Sequence, residues 1–159
     1  MKPLRVRGTL KVGARAVDGV WDVAPGPDSL VVRAPGKAEL PAAGEEWEAQ
    51  ATVTVLHTSD RGTVPMPVQL VLARIGATTE VRLDRGGTTV SRKGDVAAAV
   101  RALDAAVAPA RLRACATCQL AGATVGVLGI ECRLRPESEV VPAYAWCDGY
   151  ERVGPPAGG

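Results

Sequence analysis

Alternating apolar and polar residues are the main pattern over the first part of the chain. The clearest run extends from Trp47 to Leu56, where apolar residues at every second position alternate with glutamate, glutamine and threonine. Successive side chains of a β-strand point to opposite faces, so this spacing gathers the apolar groups on one face. The run predicts a strand with one buried face and one solvated face.

Several other segments have strand character and are separated by turns rich in glycine and proline. They are Leu4–Lys11, Val17–Val23, Leu30–Arg33, Val68–Leu72, Thr79–Asp84 and Thr88–Ser91. The last two flank Arg85-Gly86-Gly87, whose glycines suit the positive φ of a tight hairpin. Turns at such short intervals favour an antiparallel meander or a sandwich.

A helical period replaces the alternation near residue 95. Apolar residues recur at i, i+4, i+7 and i+11, which are Val96, Val100, Leu103 and Val107. This spacing places them on one stripe of an α-helix. Asp95 can cap the start of the helix, and Pro109 ends the pattern. We therefore predict one amphipathic helix at about 95–107 that packs its apolar stripe on the sheet.

The character of the chain changes beyond residue 110, where the segments become short and four cysteines occur. We predict a β-rich scaffold with the helix over 1–110 and a four-cysteine metal-binding subdomain over 111–152 packed on it. Residues 153–159, rich in glycine and proline, are expected to form a flexible tail. The predicted fold class is α+β: mainly antiparallel β as a meander or sandwich, one amphipathic helix and a C-terminal four-cysteine knuckle.

Composition excludes some classes of function. Apolar residues make up 47% and charged residues 23%, which is ordinary for a globular fold and rules out a disordered chain. The net charge is only +2, and lysine and arginine are spread along the chain without a basic tract. Nucleic-acid binding is therefore not expected, because it requires basic residues clustered on one face. A protein partner is compatible with this composition, which does not indicate an oligomeric state.

The N-terminal residues suggest a compartment. They are basic but lack the apolar run of a secretory signal, and the chain has no apolar stretch long enough to span a bilayer. We therefore expect a cytoplasmic protein with no membrane association. In that compartment thiols are kept reduced, so a group of cysteines binds metal more often than it forms disulfides.

The cysteines follow the pattern C-x2-C-x13-C-x14-C and are Cys115, Cys118, Cys132 and Cys147. The first pair has the spacing that lets two sulfur atoms converge on one ion from a tight turn, and the other two cysteines can complete a tetrahedron. Thiolates are soft ligands that select zinc or an iron–sulfur cluster. Four thiolates leave no position for water or substrate, so we predict a structural zinc site.

Two other interpretations of the cysteines stay open. The segments Cys115–Leu120, Cys132–Leu134 and Trp146-Cys147 resemble high-potential iron–sulfur proteins over about the last third of the chain. That resemblance implies an electron carrier with a cubane cluster in an aromatic shell, here Tyr144, Trp146 and Tyr150. Zinc remains favoured, with the aromatic residues covering the knuckle. The third interpretation is thiol–disulfide chemistry at the first pair of cysteines.

A second resemblance covers most of the chain. Its motifs are the M-P-V-like strand at Pro65–Val68, a G-x-x-V hairpin, L-R-x-C-x-x-C at Leu112–Cys118, G-x-x-C-R at Gly129–Arg133 and C-x-x-[FY]-E at Cys147–Glu151. In this order the motifs resemble a family of uncharacterised actinobacterial proteins. The resemblance implies that the four cysteines are the shared feature of the family, and it implies no activity.

Enzymatic activity has little local support. His57, the single histidine, is a candidate base or metal ligand, but an ordinary residue at a strand end is the commoner case. Thr58, Ser59 and Asp60 follow it without a G-x-S-x-G motif, and the chain contains no phosphate-binding glycine motif. The sequence thus predicts a non-enzymatic zinc module that presents a surface to a protein partner.

Overall fold

The computed structural model describes residues 4–24, 31–33, 46–76, 78–135 and 139–146. Its strands are β1 Leu4–Val12, β2 Arg15–Ala24, β3 Val31–Arg33, β4 Trp47–Ser59, β5 Gly62–Ile75, β6 Thr78–Arg85, β7 Thr88–Lys93, β8 Arg111–Arg113, β9 Ala121–Val125, β10 Gly129–Cys132 and β11 Val140–Pro142. Helix α1 spans Val96–Ala106, and a 3₁₀ turn, η1, spans Cys115–Thr117. The predicted fold class, mainly antiparallel β with one amphipathic α-helix, is confirmed for these residues.

The large sheet has the strand order β3-β2-β1-β4-β5-β6-β7, with β8 as an eighth strand. All of its pairings are antiparallel, and neighbouring strands are consecutive in the chain except for β1 beside β4 and β8 beside β4. The first part of β4 pairs with β1, and its last part pairs with β8, from Leu56 opposite Arg113 to Thr58 opposite Arg111. Strand β8 therefore pairs with the same edge of β4 as β1 does, farther along that strand. A smaller sheet has the order β11-β10-β9.

The alternation in β4 predicts its burial correctly. Its apolar residues Trp47, Ala49, Ala51, Val53 and Val55 are buried. The residues between them are half-buried or exposed, as a strand with one solvated face requires. The predicted hairpin between β6 and β7 is also present, and Gly86 and Gly87 have φ of 43° and 85° in its turn.

Strand β5 is longer than the predicted Val68–Leu72, because it has 14 residues and runs through Pro65 and Pro67. Proline lacks an N–H and is confined to strand edges. Within the described residues, β6 pairs with β5 only from Gln69 onward, so the earlier half of β5 has a strand partner on one side alone. The prolines are tolerated on that open side.

Helix α1 forms as its pattern predicts. The backbone N–H of Ala98 donates to the Asp95 side chain at 2.6 Å, which caps the helix start. Val96, Val100 and Leu103 are buried, and the helix contacts β6 and β7. The apolar stripe of the helix thus packs on the large sheet.

The cysteine-containing segment shares the hydrophobic core of the large sheet. One cluster of buried side chains includes residues of β4, β5 and α1 together with Leu112, Leu128, Ile130 and Val141. The segment after residue 110 therefore packs on the sheet and the helix. The boundary predicted between 110 and 111 stays a prediction, and the predicted tail 153–159 lies outside the described residues.

Candidate metal centre

Three of the four cysteines lie among the described residues. Cys115 begins η1, Cys118 directly follows it, and Cys132 ends β10. All three are buried, with exposed fractions of 9%, 9% and 6%. No disulfide joins these three cysteines. Cys147, the fourth predicted ligand, lies outside the described residues.

Backbone hydrogen bonds bring Cys132 beside the C-x2-C loop. The N–H of Ala121 donates to the carbonyl of Cys118 at 3.1 Å, and Ala121 is the strand partner of Cys132. The N–H of Arg133 donates to the carbonyl of Leu120 at 2.9 Å. The loop and the end of β10 are therefore neighbours, although 13 residues separate Cys118 from Cys132 along the chain.

One backbone donor lies against a cysteine sulfur. The N–H of Leu120 is 3.4 Å from Sγ of Cys118 and donates to it. A sulfur atom accepts hydrogen bonds better as a thiolate than as a thiol, and such bonds orient and stabilise metal-bound cysteines. This geometry suits a thiolate ligand at Cys118.

Hydrogen bonds within the C-x2-C loop hold its shape. The N–H of Cys118 donates to the carbonyl of Cys115 at 3.1 Å, which closes the 3₁₀ turn. The hydroxyl of Thr117, a residue only 5% exposed, donates to the carbonyl of Leu112 at 2.9 Å and accepts from the N–H of Ala114. A buried polar group with its partners in place favours one conformation of the loop.

The chain after β11 runs along the same loop. The N–H of Cys115 donates to the carbonyl of Ala145 at 2.6 Å, and the N–H of Ala116 donates to the carbonyl of Ala143 at 2.9 Å. The described chain ends one residue later at Trp146, which directly precedes Cys147. The backbone that leads to the fourth cysteine is thus bonded to the first cysteine.

Helix α1 contacts this segment through two polar side chains. Nε of Arg101 donates to the carbonyl of Ala116 at 2.8 Å. Asp104 accepts from the N–H of Leu112 at 2.8 Å and forms an ion pair with Arg111 at 3.6 Å. The sequence pattern gave no indication of these roles, because both residues fall on the polar side of the helical stripe. Asp104 is in fact buried.

The aromatic residues near Cys147 differ in their surroundings. Tyr144 is half-buried and packs against the hydrophobic core. Burial raises the pKa of its phenol above the usual value of 10.0. Trp146 is 37% exposed. The third residue of the predicted aromatic shell, Tyr150, lies outside the described residues.

The arrangement of the described side chains can be compared with that of a metal site. Within the described ranges, no three or more His, Cys, Asp or Glu side chains form a group that could hold a metal ion. Cys115, Cys118 and Cys132 all lie within these ranges, so their side chains do not form such a group there, although their backbone segments are neighbours. Three thiols are donors of the type that zinc prefers. The predicted site includes a fourth cysteine that lies beyond these ranges.

His57 lies inside β4 and not at the end of the strand, because β4 continues to Ser59. It is half-buried and is the strand partner of Val64 in β5 and of Leu112 in β8. The hydroxyl of Thr58 lies 2.9 Å from that of Thr63, and the hydroxyl of Ser59 accepts from the N–H of Arg61. These hydroxyl groups bond locally around the turn, so the described geometry assembles no triad with His57.

Comparison with known proteins gave no relatives: no protein-family model matches the chain, and no curated protein or solved structure is similar to it. The two resemblances inferred from the cysteine motifs therefore stay predictions. No helix in the described part of the chain is long and apolar enough to cross a membrane.

Proposed function

We propose that this protein is a non-enzymatic module whose C-terminal segment is closed by a structural zinc ion, bound by the thiolates of Cys115, Cys118, Cys132 and Cys147. The observation that carries the proposal is the hydrogen bond from the Leu120 N–H to Sγ of Cys118. Backbone N–H groups directed at cysteine sulfur atoms are a common feature of metal-bound cysteines, because they orient the ligand.

The position of Cys132 supports a shared site. Cys132 lies in β10 opposite Ala121, whose N–H donates to the carbonyl of Cys118. The backbone of Cys132 therefore lies beside the C-x2-C loop, and this supports the proposal of its thiolate as the third ligand.

Cys147 is the one further cysteine of the sequence and is the proposed fourth ligand. Cys147 is two residues from Ala145, whose carbonyl accepts the N–H of Cys115. A fourth thiolate would close the shell and exclude water, which is the arrangement of a structural site.

The zinc would stabilise a segment that has few regular elements of its own. Strands β8, β9, β10 and β11 have only three to five residues each. Metal binding contributes directly to the free energy of folding of such segments. We propose that the closed knuckle and the large sheet together present a surface to a protein partner in the reducing cytoplasm, where thiolates stay available for zinc.

Elemental analysis of the protein purified without added metal tests the proposal. We expect a colourless protein with about one zinc per chain. A brown protein containing iron and sulfide would establish the alternative, an iron–sulfur electron carrier. A metal-free protein with dithiol oxidoreductase activity would establish the other alternative, a thiol–disulfide redox protein.

Serine variants test the set of ligands. Each of Cys115→Ser, Cys118→Ser, Cys132→Ser and Cys147→Ser is expected to release zinc, whereas the control His57→Ala should retain it. Redox chemistry by the first pair alone predicts a different result, because that activity would survive the changes at Cys132 and Cys147. Zinc retained in full by either of these two variants would contradict the four-thiolate site.

A further inference from the structure

Strand β7 is the last strand of the large sheet and has one unpaired side in the described part of the chain. It pairs with β6 and with no other described strand. Thr89, Ser91, Arg92 and Lys93 are all exposed. Helix α1, which contacts β7, therefore leaves this edge of the sheet accessible.

The register shows which backbone groups of β7 face the open side. The N–H of Gly94 donates to the carbonyl of Thr79 at 3.0 Å, and bonded positions alternate along an antiparallel ladder. The residues of β7 that direct both N–H and C=O away from β6 are therefore Thr89, Ser91 and Lys93. An extended peptide can bind to such a row of groups by adding a strand to the sheet.

The same edge carries positive charge. Arg85 and Arg92 are exposed, and no described carboxylate forms an ion pair with either of them. Nη1 of Arg92 donates to the carbonyl of Ser91 at 2.7 Å, which holds the guanidinium beside the outward backbone groups. An N–H of a docked strand would replace that bond and release the guanidinium to bind a carboxylate of the same strand.

We infer that the open edge of β7 is the docking site for an extended, acidic peptide segment of the protein partner. The inference rests on the proposed function, in which the module presents a surface to such a partner. The segment adds a strand to the large sheet, and its carboxylates contact the arginines of the β6–β7 hairpin. Main-chain hydrogen bonds provide the affinity, and the charges select the partner.

Titration with designed peptides, followed by the amide NMR signals of the protein, tests this inference. The probe is an acetylated peptide of alternating glutamate and valine. Its controls are the same peptide with lysine in place of glutamate and the same peptide with all amide nitrogens methylated. We expect the acidic peptide to shift the amide signals of Thr89, Ser91 and Lys93 and to bind at least about 10-fold more tightly than either control peptide, because like charges repel and methylation removes the donors.

Variants of β7 locate the site. Ser91→Pro removes one outward N–H, at a position where proline is tolerated because the nitrogen faces away from β6. It should weaken binding of the acidic peptide about 10-fold, and Arg92→Glu should weaken binding by a similar factor. Arg61→Glu is the matched control and should leave binding unchanged, since Arg61 is an exposed arginine in the turn between β4 and β5. The comparison of peptides on the wild type provides the measurement if Ser91→Pro does not fold.

Three results overturn the inference. Equal binding of the three peptides, or binding that neither Ser91→Pro nor Arg92→Glu weakens, would show that the peptide does not pair with β7. Concentration-dependent shifts of the same amide signals in the protein alone would show that a second copy occupies the edge. The third result is a zinc-loaded protein that binds no peptide, which removes the inference and leaves the metal site. A zinc-free protein that binds the acidic peptide removes the metal site and supports the docking edge.

Discussion

The phenol of Tyr144 illustrates how a single buried group makes stability depend on pH. Burial disfavours the charged phenolate and raises the pKa of Tyr144 in the folded protein. The unfolded chain releases this proton near pH 10, while the folded protein still holds it. The folded state therefore binds more protons above that pH, and its stability falls as the pH rises.

We predict that Tyr144→Phe removes this dependence. Chemical unfolding at pH 9 and pH 11 should show a larger loss of unfolding free energy in the wild type than in the variant. The two proteins are otherwise identical, so the difference between their losses isolates Tyr144. Equal losses would show that its phenol ionises alike in the folded and unfolded states.

Helix α1 shows what local sequence can determine at the scale of an element. Its start depends on Asp95, whose side chain accepts the Ala98 N–H at 2.6 Å. We predict that Asp95→Ala lowers the unfolding free energy by about 1 kcal/mol, because it leaves a helix N–H without its cap. Urea unfolding measures this, and Asp95→Ser, which retains a capping oxygen, should cost much less. An alanine variant as stable as the serine variant would contradict the role of the cap.

Strands were predictable where burial alternates and less so where it does not. The alternation that begins at Trp47 marks β4 because one face of that strand meets the core. The alternation of residues did not predict the extent of β5, since Pro65 and Pro67 normally argue against a strand, and only the family resemblance treated Pro65–Val68 as one. Whether a proline is tolerated depends on where β6 begins to pair, and that register is a property of the whole sheet.

The candidate site likewise has residues that the sequence predicts and residues that it does not predict. The cysteines stand out from their spacing alone, because C-x2-C has a chemical meaning wherever it occurs. The supporting residues Arg101, Asp104 and Thr117 do not stand out, since an arginine and an aspartate on a helix are usually solvated. Only the packing of α1 against the cysteine segment brings Arg101 and Asp104 into contact with that segment.

At the scale of the whole molecule, the cysteine segment and the large sheet depend on one core. Leu112 lies in β8, is fully buried and is the strand partner of His57 in β4. We predict that Leu112→Ala lowers the unfolding free energy by about 3 kcal/mol, because it leaves a cavity where the segment meets the sheet. Denaturant unfolding measures this loss.

The exposed Leu134 provides the control for this prediction, since it lies in the same segment and is 52% exposed. Leu134→Ala should change the unfolding free energy by less than about 0.5 kcal/mol. If the two leucine variants lose similar stability, Leu112 does not join the segment to the core of the sheet.

The prolines of β5 also bear on how this protein behaves at high concentration. Alternate residues of a strand direct their amides to the same side, so the nitrogen atoms of Pro65 and Pro67 lie along one margin of the strand. A margin without amide hydrogens at these positions offers little template to an incoming strand from another molecule. In the described part of the sheet, the residues that make β5 hard to predict from the sequence thus make this side of the strand a poor template for pairing with another molecule.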